Sequence, residues 1–186
     1  MKPSLKKHSG FTLIEMLIAV FIFTVAMAAL TLMAGRGIQS SNQSSDRVTA
    51  EFLAIESLEA IRNMRDTALI TGRSDNSWIG VFGGTNIFSA EGCFNKLGDA
   101  DQNKTCAVYY NGVNPTLIGC ISCAVFFSDN EGYENDSPSR APGSLATPFV
   151  RKVYINQLST DEIRVRVTVE WDNQLVELED NLLLWG

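Results

Sequence analysis

Between Pro3 and Pro115 the chain has no proline, its only histidine is His8, and from Phe11 to Ala34 its only charged residue is Glu15. Each scarcity excludes something. The missing prolines remove the commonest cause of a helix kink from the first hundred or so positions. With no histidine beyond position 8, and no serine or cysteine set beside an identifiable base, no constellation for hydrolytic catalysis is visible. Cations are also scarce, with 15 Lys+Arg against 21 Asp+Glu and a formal net charge of −6. Lys2, Lys6 and Lys7 lie in the first ten residues, so the remainder, three cations poorer, stands at −9. So acidic a chain has no general attraction for phosphate backbones, and nucleic acid is not an expected partner.

What the chain does have is hydrophobic residues, unevenly spread. At 186 residues and 45% hydrophobic content it suits one compact domain plus an anchor. The anchor is the run from Phe11 to Ala34, which meets the requirement of about 20 apolar residues for crossing about 30 Å of hydrocarbon. Lys2, Lys6, Lys7 and His8 precede it and Arg36 follows, which places the N-terminus in the cytoplasm and everything after the run beyond the membrane. A secretory signal peptide shares the basic-then-apolar order. Its apolar region, however, spans only about 7 to 15 residues and ends at a small-x-small cleavage site before a polar start. A plain uncleaved anchor accounts for the hydrophobicity but leaves Glu15 unexplained.

A carboxylate inside an apolar span costs on the order of several kcal/mol unless it is paired, which makes Glu15 a functional candidate. Around it the sequence reads Gly10-Phe11-Thr12-Leu13-Ile14-Glu15-Met16. With the basic leader before it and the apolar helix after it, this resembles the processing motif of type IV prepilins and type II secretion pseudopilins. The resemblance implies that prepilin peptidase cuts between Gly10 and Phe11, and that the new N-terminal residue, Phe11, is N-methylated. It also implies assembly through the N-terminal helix. Glycine suits the cut because it lacks a side chain and interrupts helix, leaving extended backbone open to attack. Cutting creates a positive amine at the end of an apolar helix, and Glu15 of a neighbouring subunit can meet it, relieving two burial penalties and setting the axial register.

Beyond Met33 the chain turns polar, and Gly35 and Gly37 each cost about 1 kcal/mol in a helix interior. Major pilins commonly carry a kinking proline in the apolar stretch. Its absence here leaves the glycine pair as the expected place to bend or unwind. Helical periodicity resumes from Val48 to about Leu69, with Gly72 as the expected stop. One stripe, Ala50, Ala54, Ile61, Met64 and Ala68, widened by Leu53 and Leu58, is expected to carry the domain. A second seam, Val48, Phe52 and Ile55, lies on nearly the opposite side and gives way to Glu59, Arg62 and Asp66. Its upper half is expected to pack on the domain alone, and its lower half also to touch neighbouring subunits.

At the other end Ile163, Val165, Val167, Val169 and Trp171 alternate with polar residues, as in a half-buried antiparallel strand. Asp172-Asn173 supplies a turn, Val176, Leu178 and Leu182 mark a following strand, and Val150 to Ile155 a preceding one. The expected fold is α+β: a long N-terminal helix, membrane-spanning and then amphipathic, packed on a C-terminal antiparallel sheet. The expected division is 1–10 leader, 11–34 transmembrane helix, 35–70 weakened then amphipathic helix, 71–148 irregular region and 149–186 meander. Loops, short strands and a small extra sheet are expected in the irregular region, which is where recognition would lie.

All four cysteines, Cys93, Cys106, Cys120 and Cys123, fall in that region, on the oxidising side of the membrane. Spacing does not choose among three pairings; the expectation is Cys93 with Cys106 and Cys120 with Cys123. Zinc is the rival, but one Cys-x-x-Cys pair and a histidine on the removable leader make a poor site, and no metal or other cofactor is expected. Cys120-Ile121-Ser122-Cys123 also lacks the strand-to-helix setting of a thiol oxidoreductase. Asp99, Asp101 and Asn103 space oxygens as a calcium loop does, yet Lys104 replaces the required glycine. The reading is a non-enzymatic filament subunit, a minor pilin or pilin-like protein. Its partners are prepilin peptidase, the pilus assembly platform and other pilin subunits, and its path runs from the bacterial inner membrane to an extracellular filament. A pseudopilin of a secretion or DNA-uptake machine reads the same, and the rival from another class is an anchored redox or metal-binding module.

Overall fold

The computed structural model describes residues 10, 12–70, 94–95, 97–98, 103–111, 114–130, 132–135 and 142–183. The chain divides into two compact units, 1–46 and 47–186. One helix, α1 (Leu13–Ile70), contributes to both. Eight strands follow among the described residues: β1 (Phe94–Asn95), β2 (Cys106–Asn111), β3 (Asn114–Gly119), β4 (Ala124–Ser128), β5 (Gly132–Asn135), β6 (Leu145–Gln157), β7 (Glu162–Trp171) and β8 (Gln174–Leu183).

In the first unit every described residue from Thr12 to Ser45 is exposed, so no described residue covers the apolar run. The glycine pair does not unwind it. Gly35 and Gly37 remain helical, and no described residue lies within 4 Å of a Cβ placed on either, so their smallness serves no contact among the described residues. The expected stop, Gly72, lies outside the described residues; α1 ends at Ile70.

In the second unit α1 buries Ala50, Leu53, Ala54, Leu58, Ile61, Met64 and Ala68, all seven stripe residues, together with Ser57 and Ala60. They form one core with the inward residues of the meander: Phe149, Val153 and Ile155 of β6, Ile163 to Trp171 of β7, and Leu182 of β8. Alternation decides the faces, because successive side chains of a strand point to opposite sides. The β7–β8 hairpin turns on Asp172 and Asn173, whose φ angles of 42° and 62° are the paired positive values that a two-residue hairpin turn requires.

Strand β6 organises everything else. One edge pairs antiparallel with β7 from Val150 to Gln157. The other edge is shared in sequence by β4, β2 and β1, the last of them parallel. At thirteen residues it is longer than the Val150–Ile155 expected, and it contains Pro148, which cannot donate to a ladder. The register explains why proline is tolerated: Ala124 pairs with Val150 but Phe126 with Ala146, so Pro148 falls in an irregularity. There the Thr147 hydroxyl donates to the Val125 carbonyl at 2.6 Å and supplies a bond the backbone does not. Among the described residues the irregular region forms no separate sheet. Its strands β1 to β5 all join the sheet of the meander through β6, with β3 on the edge of β2 and β5 on the edge of β4.

The outer sheet face is polar and cross-linked. Lys152 meets Glu170 at 2.8 Å, Arg164 meets Glu179 at 3.1 Å, and the Arg166 guanidinium lies 4.5 Å over the Tyr154 ring. Edge strand β8 turns Asp180 to the helix side, where Arg62 holds it with Nη2 at 2.8 Å and Nε at 3.0 Å while also meeting Glu59. Asp180 and Glu59 raise the Arg62 pKa above its ordinary value, against a smaller opposing effect of burial. An inward charge is one device by which an edge strand resists pairing with a stranger.

Ile61 is fully buried at the centre of the helix–sheet contact, so Ile61→Ala should lower stability by about 2–5 kcal/mol. Urea unfolding of the full chain in detergent, followed by near-UV signals of the sheet domain, measures this. A loss below about 1 kcal/mol would mean that the stripe does not carry the domain.

Candidate functional site

At the N-terminus of α1 the last residue before the helix is Thr12. Its carbonyl accepts from the backbone N–H groups of Glu15 and Met16 at 3.1 and 3.2 Å, and its hydroxyl accepts from Glu15 N–H at 3.4 Å. Thr12 is therefore an N-cap and Glu15 stands three residues into the helix, the positions of a capping box. Sequence reasoning treated Glu15 as a buried charge and passed over Thr12, although Thr-x-x-Glu before an apolar run is itself a helix-start signal. Glu15 also sits where the helix dipole favours an anion. Gly10 is exposed, with no described residue within 4 Å of its missing Cβ. Phe11 lies outside the described residues.

The second seam stays open on its own domain. Val48, Phe52 and Ile55 are 48%, 67% and 47% exposed, which shows that no described residue of this chain covers that side of α1.

In the sheet Cys120 and Cys123 are joined to each other, with Cα atoms 5.1 Å apart. Cys106, at the start of β2 and opposite Val153, is also in a disulfide; Cys93 lies outside the described residues, as do Asp99 and Asp101. Cys123 adopts φ 52°, a left-handed conformation that costs a residue with a Cβ roughly 1–2 kcal/mol. Among the described residues no group of three or more His, Cys, Asp or Glu is placed to hold a metal ion.

The least expected feature is Arg151, only 1% exposed on the inward face of β6. A buried cation survives only if its donors are met and its charge is paired. Its Nε donates to Asn135 Oδ1 at 2.8 Å and Nη1 to Glu56 Oε2 at 2.7 Å. Weaker bonds of 3.4 Å run from Nη1 to the Leu53 carbonyl and from Nη2 to the Val108 carbonyl. Asn135 is itself buried, and its amide donates to the carbonyls of Cys123 at 3.1 Å and Arg151 at 3.4 Å. Burial pushes the Tyr110 phenol above its ordinary pKa, and Glu56 adds to the effect while Arg151 opposes it. The sequence held a signal: Arg151 occupies the apolar parity of the series Phe149, Val153, Ile155.

Residues 5–31 match the family described as the prokaryotic N-terminal methylation motif. The match takes in Gly10, Phe11, Thr12, Glu15 and most of the apolar run, and ends before the amphipathic part of α1 and the sheet. No curated protein and no solved structure matches the chain. Among the described residues one helix, α1, is long and apolar enough to cross a membrane, and with the matched motif it suggests a membrane anchor.

Removing the Glu56 carboxylate strands the Arg151 charge in the core. Glu56→Ala should therefore cost about 2 kcal/mol or more, despite its position at the rim of the domain. In the Arg151→Met background, where no charge remains to strand, the same substitution should cost little. A double-mutant cycle by urea unfolding reads the coupling, and equal losses in both backgrounds would show that the pair does not matter.

Proposed function

We propose that this chain, whose N-terminal segment is that of the type IV pilin-like prepilin family, is a precursor cut between Gly10 and Phe11 and assembled through α1 into a pilus-type filament. Prepilin peptidase makes the cut, Phe11 becomes the methylated N-terminus, and the assembly platform and other pilins are the partners. The precursor rests in the bacterial inner membrane with its N-terminus in the cytoplasm, and the assembled subunit is extracellular. Its role is structural. A minor subunit is the favoured form.

The observation that carries this reading is Glu15: one carboxylate, in the first turn of a helix whose next charge is Arg36. In lipid it is a liability. In a bundle of such helices it is the one group that answers the positive amine left by cleavage, and pairing it with a neighbour's amine fixes the axial step between subunits. The open seam Val48–Phe52–Ile55 supports the same reading, because an assembly built on α1 has an apolar surface available beyond the membrane run.

Processing is tested by Gly10→Val, which should insert normally and accumulate uncut. Intact mass of the membrane-extracted wild type should show loss of residues 1–10 and gain of one methyl group. A normal Phe11 N-terminus in the variant would remove the processing claim.

Assembly is tested by two replacements of Glu15, since the residue holds both a charge and a capping position. Glu15→Gln keeps a side chain that suits the cap and removes the charge; Glu15→Val removes both. If the charge sets the register, both variants are cut yet fall away from sheared filaments. Normal incorporation of Glu15→Gln would show that the charge is dispensable and that helix capping is the residue's contribution.

A further inference from the structure

The Cys120–Cys123 bridge stands where the chain leaves β3 and enters β4. Ile121 and Ser122 between the two cysteines are exposed, Cys120 is half-buried, and Cys123 and Cys106 are buried. The bridge closes a four-residue loop and holds Cys123 in a left-handed backbone that a cysteine does not favour. In that conformation the Cys123 carbonyl accepts from two buried donors: the backbone N–H of Arg151 at 3.0 Å and the Asn135 amide at 3.1 Å. With its nitrogen engaged there, Asn135 presents its oxygen to Arg151 Nε at 2.8 Å. The other end of the same guanidinium reaches the Leu53 carbonyl and Glu56 on α1. A series of contacts thus leads from a disulfide with one half-buried cysteine to the helix through two buried polar side chains.

We propose that the Cys120–Cys123 disulfide is a redox-sensitive clamp on the buried Asn135–Arg151 network, so that opening it loosens both the β4–β5 hairpin and the Leu53–Glu56 turn of α1. The reaction is exchange with a dithiol. One thiolate of the reductant attacks the Cys120 sulfur, the more accessible of the pair, and expels Cys123 as a thiolate that takes up a proton. The reductant's second thiol then closes its own disulfide and releases Cys120, leaving two thiols on the protein for one disulfide gained by the reductant. Freed from the loop, Cys123 relaxes its backbone and its carbonyl no longer meets Asn135 and Arg151 together. Asn135 then holds Arg151 less well, and the grip on Leu53 and Glu56 weakens although neither touches the bridge.

Hydrogen exchange of the full chain in detergent, read by mass spectrometry, separates this relay from simple loop closure. In Cys120→Ser/Cys123→Ser, with Cys93 and Cys106 left intact, exchange should rise about tenfold or more in residues 124–135 and in the Leu53–Glu56 turn. In an Asn135→Leu background the relay is already cut, and the same cysteine substitutions should change helix exchange by less than about twofold. A brief pulse of a small dithiol on folded wild-type protein, with alkylation mapping to select molecules opened at Cys120 and Cys123, gives the comparison without refolding. Faster exchange confined to residues 119–128, or the same helix response with and without Asn135, would overturn the proposal.

Discussion

A guanidinium with almost no access to water is the constraint around which the sheet domain is arranged. Unpaired, the Arg151 charge would carry an effective penalty of several kcal/mol. The fold answers it from four directions: a carboxylate and a carbonyl from α1, a carbonyl from β2, and an amide oxygen from β5. Because a planar guanidinium has a fixed fork of donors, those groups must arrive at fixed positions together. Apolar packing alone tolerates small slips of a helix over a sheet, whereas a saturated charge in the core does not. The polar network thus gives the helix–sheet contact its register.

The same constraint accounts for the topology of the middle of the chain. Strands β1, β4 and β5, of two to five residues, are too short to hold a sheet by themselves. They borrow order from β6, whose one edge carries the long ladder to β7 and whose other edge is divided among three partners. Asn135, the last residue of β5, then reaches past β4 to Arg151 of β6 by its side chain, while the backbone ladder of β5 is with β4.

This explains what was legible in the sequence and what was not. Strand β7 could be read because Ile163 to Trp171 alternate without interruption, and its hairpin because Asp172-Asn173 can adopt positive φ. The stripe from Ala50 to Ala68 was equally clear, since one partner surface dictates one helical face. Strand β6 was read only from Val150 to Ile155: a proline at position 148 argues against a ladder, and an arginine at position 151 is not an ordinary core residue. Proline is admitted by a register irregularity, and the arginine by acceptors on elements distant in sequence. No local pattern announces the irregularity, and the arginine's burial is announced only by the parity it shares with Phe149, Val153 and Ile155. Thr12 was a different kind of miss, a local signal overshadowed by the charge beside it.

Glu15 joins the two halves of the reading. In the uncut chain it lies in a helix end where unpaired N–H groups and the dipole already favour a carboxylate, so part of its cost is met locally. On the proposed reading, cleavage after Gly10 would leave Phe11 immediately before the N-cap and would add a full positive charge to the end of the helix that is already positive. Local relief and long-range attraction then ask for the same group. From position 11 to position 34 the chain supplies one carboxylate to meet both demands. A glutamate that was merely a cap would be replaceable by glutamine, whereas one that answers the new amine would not. On that reading the physical role of the residue would change with the cut, from a feature of a single helix to a contact that only a second subunit completes.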